Sequence, residues 1–259
     1  GAYPGGLPQD PRNDKLNLLA STADAPLEAR FAAKGRLVYE FDASGTRDLV
    51  SMYPAMARHW RNAGVQVACQ FQYDARSLAH FNPDWPQHYL NLYHVPGKTA
   101  SFLIGGEVFR RLARGASFPA PEDDQVFAPG AVSFHRNAAL LASDDCYMQA
   151  RPTDWRPLPL PKTPRRILSV GSSPYFDYDG TGIVDLRVEG DTARLRIYPD
   201  VDRASEGLHG TNEQPLTRLV SREHRFRLRL PGWGEAKVQR REGDRWMDRP
   251  GKAGDFSAL

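Results

Sequence analysis

Glu40 and Asp42 end the run Leu37-Val38-Tyr39-Glu40-Phe41-Asp42, and no other residues in the sequence are better placed to do chemistry. A carboxylate where a buried strand emerges suits nucleophilic or acid–base work. Two carboxyl groups flanking one bond are what glycoside hydrolysis uses. In a regular strand, residues 40 and 42 share one face, and 39 and 41 the other. The competing reading is structural: a strand-end Glu that caps a helix or pairs with an arginine. Gln70, Gln72 and Asp74 alternate at the end of the next apolar run, facing one way. They suit hydrogen bonds to sugar hydroxyls, or a network that only satisfies backbone groups. Tyr73, Phe81, Trp85, His88 and Tyr89 follow. Aromatic faces stack on sugar rings, although such side chains also pack under loops as a satellite core.

The remaining candidates are weaker. Asp177, Asp179 and Asp185 lack the fixed ligand spacing of a calcium loop, and turn formation explains the first two. Cys69 and Cys146 form no C-x-x-C or Cys/His pattern, so zinc is not expected. They read as two buried thiols, with one disulfide as the alternative. None of the 7 histidines lies in a hydrolase motif. Neither a metal nor a cofactor is expected.

The elements that must position these residues follow from periodicity and breakers. Residues 26–34 read as a short helix and 36–42 as a strand. Leu49, Met52, Tyr53, Met56 and Trp60 recur at helical spacing over 48–62, with Pro54 in the first turn and Gly64 as the stop. A second strand spans 65–74, and Pro96 opens a helix to about 114. Strand–helix–strand–helix is the order of an α/β unit with parallel strands. Beyond about 120, short strands alternate with turn signals, at 131–135, 138–143, 166–170, 183–188, 192–198, 224–230, 236–240 and 246–247. That pattern predicts an antiparallel β-sandwich. Prolines crowd 118–129 and 152–164, which read as a linker and a long loop.

Composition narrows the class. The 259 residues are 41% hydrophobic and 25% charged, enough for a packed core. Lys+Arg 34 against Asp+Glu 31 gives +3, and basic residues form no block, so nucleic acid is a poor partner. No apolar run reaches membrane-spanning length. Residues 1–6 show no basic or apolar leader segment.

The runs at 37–43, 52–58 (Met-Tyr-Pro-Ala-Met-Ala-Arg), 70–74 (Gln-Phe-Gln-Tyr-Asp) and 88–92 (His-Tyr-Leu-Asn-Leu) carry a resemblance. The chain resembles the C-terminal portion of bacterial clan A glycoside hydrolases, cellulase-like (β/α)8 barrels with an appended β-sandwich. The resemblance covers about residues 1–115. It implies an α/β plus all-β protein: the last two βα units of a barrel over 1–118, then an antiparallel β-sandwich over 119–259. It places Glu40 at the retaining nucleophile of the seventh strand. Asp42, Gln70, Gln72, Tyr73 and Trp85 would bind an oligo- or polysaccharide or position Glu40. It also implies a periplasmic or extracellular setting. The clan's acid/base Glu precedes the nucleophile by far more than the 39 residues available here. Asn212-Glu213 matches its dipeptide but follows Glu40 and reads as a decoy. The chain therefore reads as a C-terminal piece, completed by a companion N-terminal chain or by self-association. Two other readings concern the sandwich: a carbohydrate-binding module presenting Tyr175, Tyr178 and Trp233, or a structural buttress.

Overall fold

The computed structural model describes residues 26–42, 49–71, 73, 95–119, 122–198, 222–233 and 237–248, and the backbone of 255–258. A 3-10 turn at Ala29–Phe31 leads to β1 (Leu37–Phe41), α1 (Met52–Asn62), β2 (Val67–Gln70) and α2 (Pro96–Arg111). Then come β3 (Asp124–Phe127), β4 (Gly130–Ser133), β5 (Ala138–Ser143), β6 (Cys146–Gln149) and β7 (Arg166–Val170). The chain continues with β8 (Phe176–Tyr178), β9 (Ile183–Glu189), β10 (Thr192–Ile197) and β11 (His224–Leu228). It ends with β12 (Gln239–Glu242), β13 (Arg245–Asp248) and β14 (Asp255–Ala258). Pro96 opens α2, where its missing N–H has no intrahelical partner to lose. Gly64, at φ 77°, turns the chain out of α1.

The fold differs from the expected barrel end plus antiparallel sandwich. Strands dominate, and the central body is a 7-stranded sheet of order β10-β9-β7-β6-β5-β4-β3. The sheet is mixed, because β6 and β7 run parallel while the other neighbours are antiparallel. A 3-stranded sheet (β14-β11-β8) and a 2-stranded hairpin (β12-β13) accompany it. β1 and β2 pair in parallel and, among the described residues, only with each other. The helices do not continue a barrel wall: α2 packs on α1 and lies across β5, β6, β7 and β9, while α1 also meets β4.

The strand sequences explain this arrangement. Ala139-Leu140-Leu141-Ala142, Cys146-Tyr147-Met148 and Ile167-Leu168 are apolar at successive positions, so the sheet must be covered on both faces. One face carries Val132, Leu141, Met148, Leu168 and Ile183 and packs against Met52, Met56, Trp60, Ile104 and Val108 of the helices. Phe41 and Val65 join this core. The other face carries Leu140, Tyr147, Ile167, Val184 and Leu186 and packs against Phe176, Tyr178 and Phe226 of the small sheet. The first core thus draws residues from both sides of position 118.

A polar seam ties α2 to the sheet. Glu107 accepts from Arg110, from Arg111 Nε (3.3 Å) and from Arg166 Nη1 (3.3 Å), and Arg166 Nε lies 3.6 Å from Asp185. Both cysteines are free, which excludes the disulfide. Cys146 is buried as expected, but Cys69 is exposed. Burial pushes the Cys146 thiol up to about 11, so it is neutral at physiological pH. No helix among the described residues is long and apolar enough to cross a membrane.

Candidate functional site

The C-terminal end of β1 is shaped by a register irregularity. Val38 pairs with Ala68 and Phe41 with Gln70, so β1 takes three steps where β2 takes two. One extra residue on β1 resets the side-chain alternation. Phe41 consequently turns into the helix-side core, its ring 4.6 Å from Trp60, instead of sharing the solvent face with Tyr39. The simple alternation expected over 39–42 therefore fails at the residues that matter. Glu40 sits at this irregularity, half-buried. Among the described residues it has no hydrogen-bond or ion-pair partner.

Asp42 is fully buried. The Tyr53 hydroxyl donates to Oδ1, and Lys98 Nζ donates to Oδ2 at 3.2 Å. Lys98 is itself buried, its ammonium 5.8 Å from the centre of the Tyr53 ring. Tyr53 belongs to the first turn of α1 and Lys98 to the first turn of α2. Asp42 therefore ties the end of β1 to the beginnings of both helices. Each element would alone place a polar group in an apolar interior, and together they satisfy one another. The sequence reading missed Lys98, which lies 56 residues from Asp42.

Gln70 is half-buried at the end of β2, in register with Phe41, and Phe71 N donates to the Phe41 carbonyl at 2.7 Å. Tyr73 is exposed just beyond. The structure thus gathers Glu40, Asp42 and Gln70 at one end of the β1–β2 pair. Gln72 and Trp85 lie outside the described residues, as do Asp74, Phe81, His88 and Tyr89. The same pair presents an apolar face outward: Leu37 and Tyr39 from β1, and Val67, Phe71 and Tyr73 in and after β2, are 42% to 68% exposed. The exposed Cys69 sits among them.

Elsewhere, the acidic residues weighed as ligands already have basic partners. Asp177 pairs with Arg229, and Asp185 with Arg187 Nε at 3.3 Å. Asp179 accepts from the His224 ring at 2.9 Å and from Arg225 N at 3.1 Å, and these bonds hold its carboxyl below its usual range. Asn212 and Glu213 lie outside the described residues. Tyr175 and Tyr178 are buried in the second core, which removes them as stacking surfaces, and Trp233 is half-buried. One set of metal-ligand types was not singled out from sequence: Asp123, Asp124 and His135, whose ligand atoms lie within 4.8 Å of one another. Pairing of Asp124 with Ser133 brings them together. His135 Nδ1 contacts Asp123, and its Nε2 faces the Arg136 guanidinium. A metal-bound imidazole wants an acceptor on its far nitrogen, and a guanidinium is the opposite. The trio fits an Asp–His–Arg surface pairing better than a cation. No family model, curated protein or solved structure matches this chain.

Proposed function

We propose that this chain supplies Glu40 as the nucleophile of a retaining glycoside hydrolase acting on an oligo- or polysaccharide. The observation that carries the reading is the setting of Glu40: half-buried at the end of a parallel strand, with no arginine or lysine clamping it among the described residues. A carboxylate locked in an ion pair would be a poor nucleophile, and one under packed side chains could not reach a substrate. Glu40 attacks the anomeric carbon while a second carboxylic acid protonates the departing oxygen. Water, deprotonated by that second group, then releases the sugar from Glu40. Asp42 is not the second group, because both its oxygens are engaged by Tyr53 and Lys98. Its role is to fix the end of β1. The acid/base falls to a carboxyl beyond the described residues or on a companion chain. Gln70 and Gln72 suit sugar hydroxyls, and Trp85 offers a ring face. This chemistry calls for no metal or cofactor.

The seven-stranded sheet has a supporting role in this reading, because one of its faces is the floor on which α1 and α2 rest. The test is covalent trapping. The protein as purified is incubated with a panel of activated 2-deoxy-2-fluoro glycosides, followed by intact-mass analysis and peptide mapping. A single label on Glu40 is expected, together with a loss of turnover of about 1,000-fold or more in Glu40→Gln. Labelling at another carboxylate, or unchanged hydrolysis by Glu40→Gln, ends the reading.

A further inference from the structure

Parallel strands are found almost only where both faces are covered. The β1–β2 pair has one face on the helices, through Phe41, Val38 and Ala68. Its other face carries Leu37, Tyr39, Val67, Cys69, Phe71 and Tyr73 outward. Three of the large apolar residues, Leu37, Tyr39 and Val67, lie on two adjacent strands, and Phe71 and Tyr73 follow directly after β2, whereas isolated exposed apolar side chains are ordinary. We propose that this face is the contact between two copies of the chain, related by a two-fold axis.

Two features favour a second copy over a charged partner. The outward residues include no Lys, Arg, Asp or Glu, so two identical faces meet without like-charge repulsion, as an isologous contact requires. Their area is also sufficient. Three aromatic and two aliphatic side chains at about half exposure present on the order of 500 Å². Two such faces bury about 1,000 Å², the lower bound for a specific association. That area implies a reversible dimer. The contact stands independently of Glu40, since it concerns the face beside that residue and involves no bond-making.

Cys69 supplies the readout, because it is the exposed thiol and Cys146 is buried. Sedimentation velocity over a wide concentration range reads the mass, and a short bis-maleimide reads the proximity of Cys69 to the partner's Cys69. The wild type should move from the 29.0 kDa monomer toward twice that mass and become cross-linked. Tyr39→Lys and Val67→Lys, both at exposed positions, should each hold the protein monomeric and abolish cross-linking, with unchanged circular dichroism. A wild type that stays monomeric throughout overturns the proposal. So does a dimer indifferent to both substitutions, or a native mass showing a different companion chain. None of these outcomes alters the trapping result at Glu40, so the two readings fail separately.

Discussion

At the scale of single residues, Asp42 is the most constrained polar group near the candidate site. Lys98 lies in the first turn of α2, where the helix dipole disfavours a cation. Its burial is tolerable because the Asp42 carboxylate sits against it, and Tyr53 occupies the other oxygen. A buried pair adds little net stability over an apolar replacement, but removing one partner strands a charge. Lys98→Met should therefore destabilise the protein by about 3–5 kcal/mol in urea unfolding. The double variant Asp42→Leu/Lys98→Met should recover part of that loss, giving a positive coupling in the cycle. Additive effects below about 1 kcal/mol would refute the pairing. The sequence identifies Asp42 as a carboxylate at a strand end, and from there a role on substrate is the natural expectation. It does not reveal that one extra residue in β1 shifts the phase, or that an ammonium arrives from 56 residues away. Local periodicity fixes which face a residue takes only while the register is regular.

At the scale of elements, strands were legible where apolar β-formers run together and short turns bound them. Residues 138–143 and 166–170 coincide with β5 and β7, and 183–188 falls one residue short of β9. The strands that escaped notice are short, three or four residues each: Asp124-Gln125-Val126-Phe127, Cys146-Tyr147-Met148-Gln149, Phe176-Asp177-Tyr178 and Asp255-Phe256-Ser257-Ala258. Their pairing comes from neighbours in space, which propensity does not record. β3 shows the cost of such a placement. Gln125 is 5% exposed opposite Val132, and among the described residues neither its amide nitrogen nor its amide oxygen has a hydrogen-bond partner. An unsatisfied buried amide costs about 1–3 kcal/mol. Gln125→Leu, similar in volume, should therefore raise the melting temperature. A lower melting temperature with unchanged circular dichroism would mean that the amide is satisfied in solution.

At the scale of the whole molecule, the decisive fact is that one sheet serves two cores. The strand–helix–strand–helix order of the first half invites a self-contained α/β reading. Nothing in the local pattern says that the apolar stripes of α1 and α2 belong on strands that come later. The clue was the continuous apolar character of 138–142 and 146–148, which asks for cover on both faces where a sandwich edge asks for one. The consequence is testable by division. Residues 119–259 alone would bare the face bearing Val132, Leu141, Met148, Leu168, Val170 and Ile183. Each buried side chain of this kind is worth about 1.5–3 kcal/mol. Six of them give about 9–18 kcal/mol, as large as the entire stability of an ordinary domain, about 5–15 kcal/mol. The isolated segment should therefore bind a hydrophobic dye, associate, and melt without a cooperative transition, while the whole chain melts in one step. A segment that stays monomeric and melts cooperatively near the temperature of the whole chain would show that the helices decorate the sheet and do not hold it together.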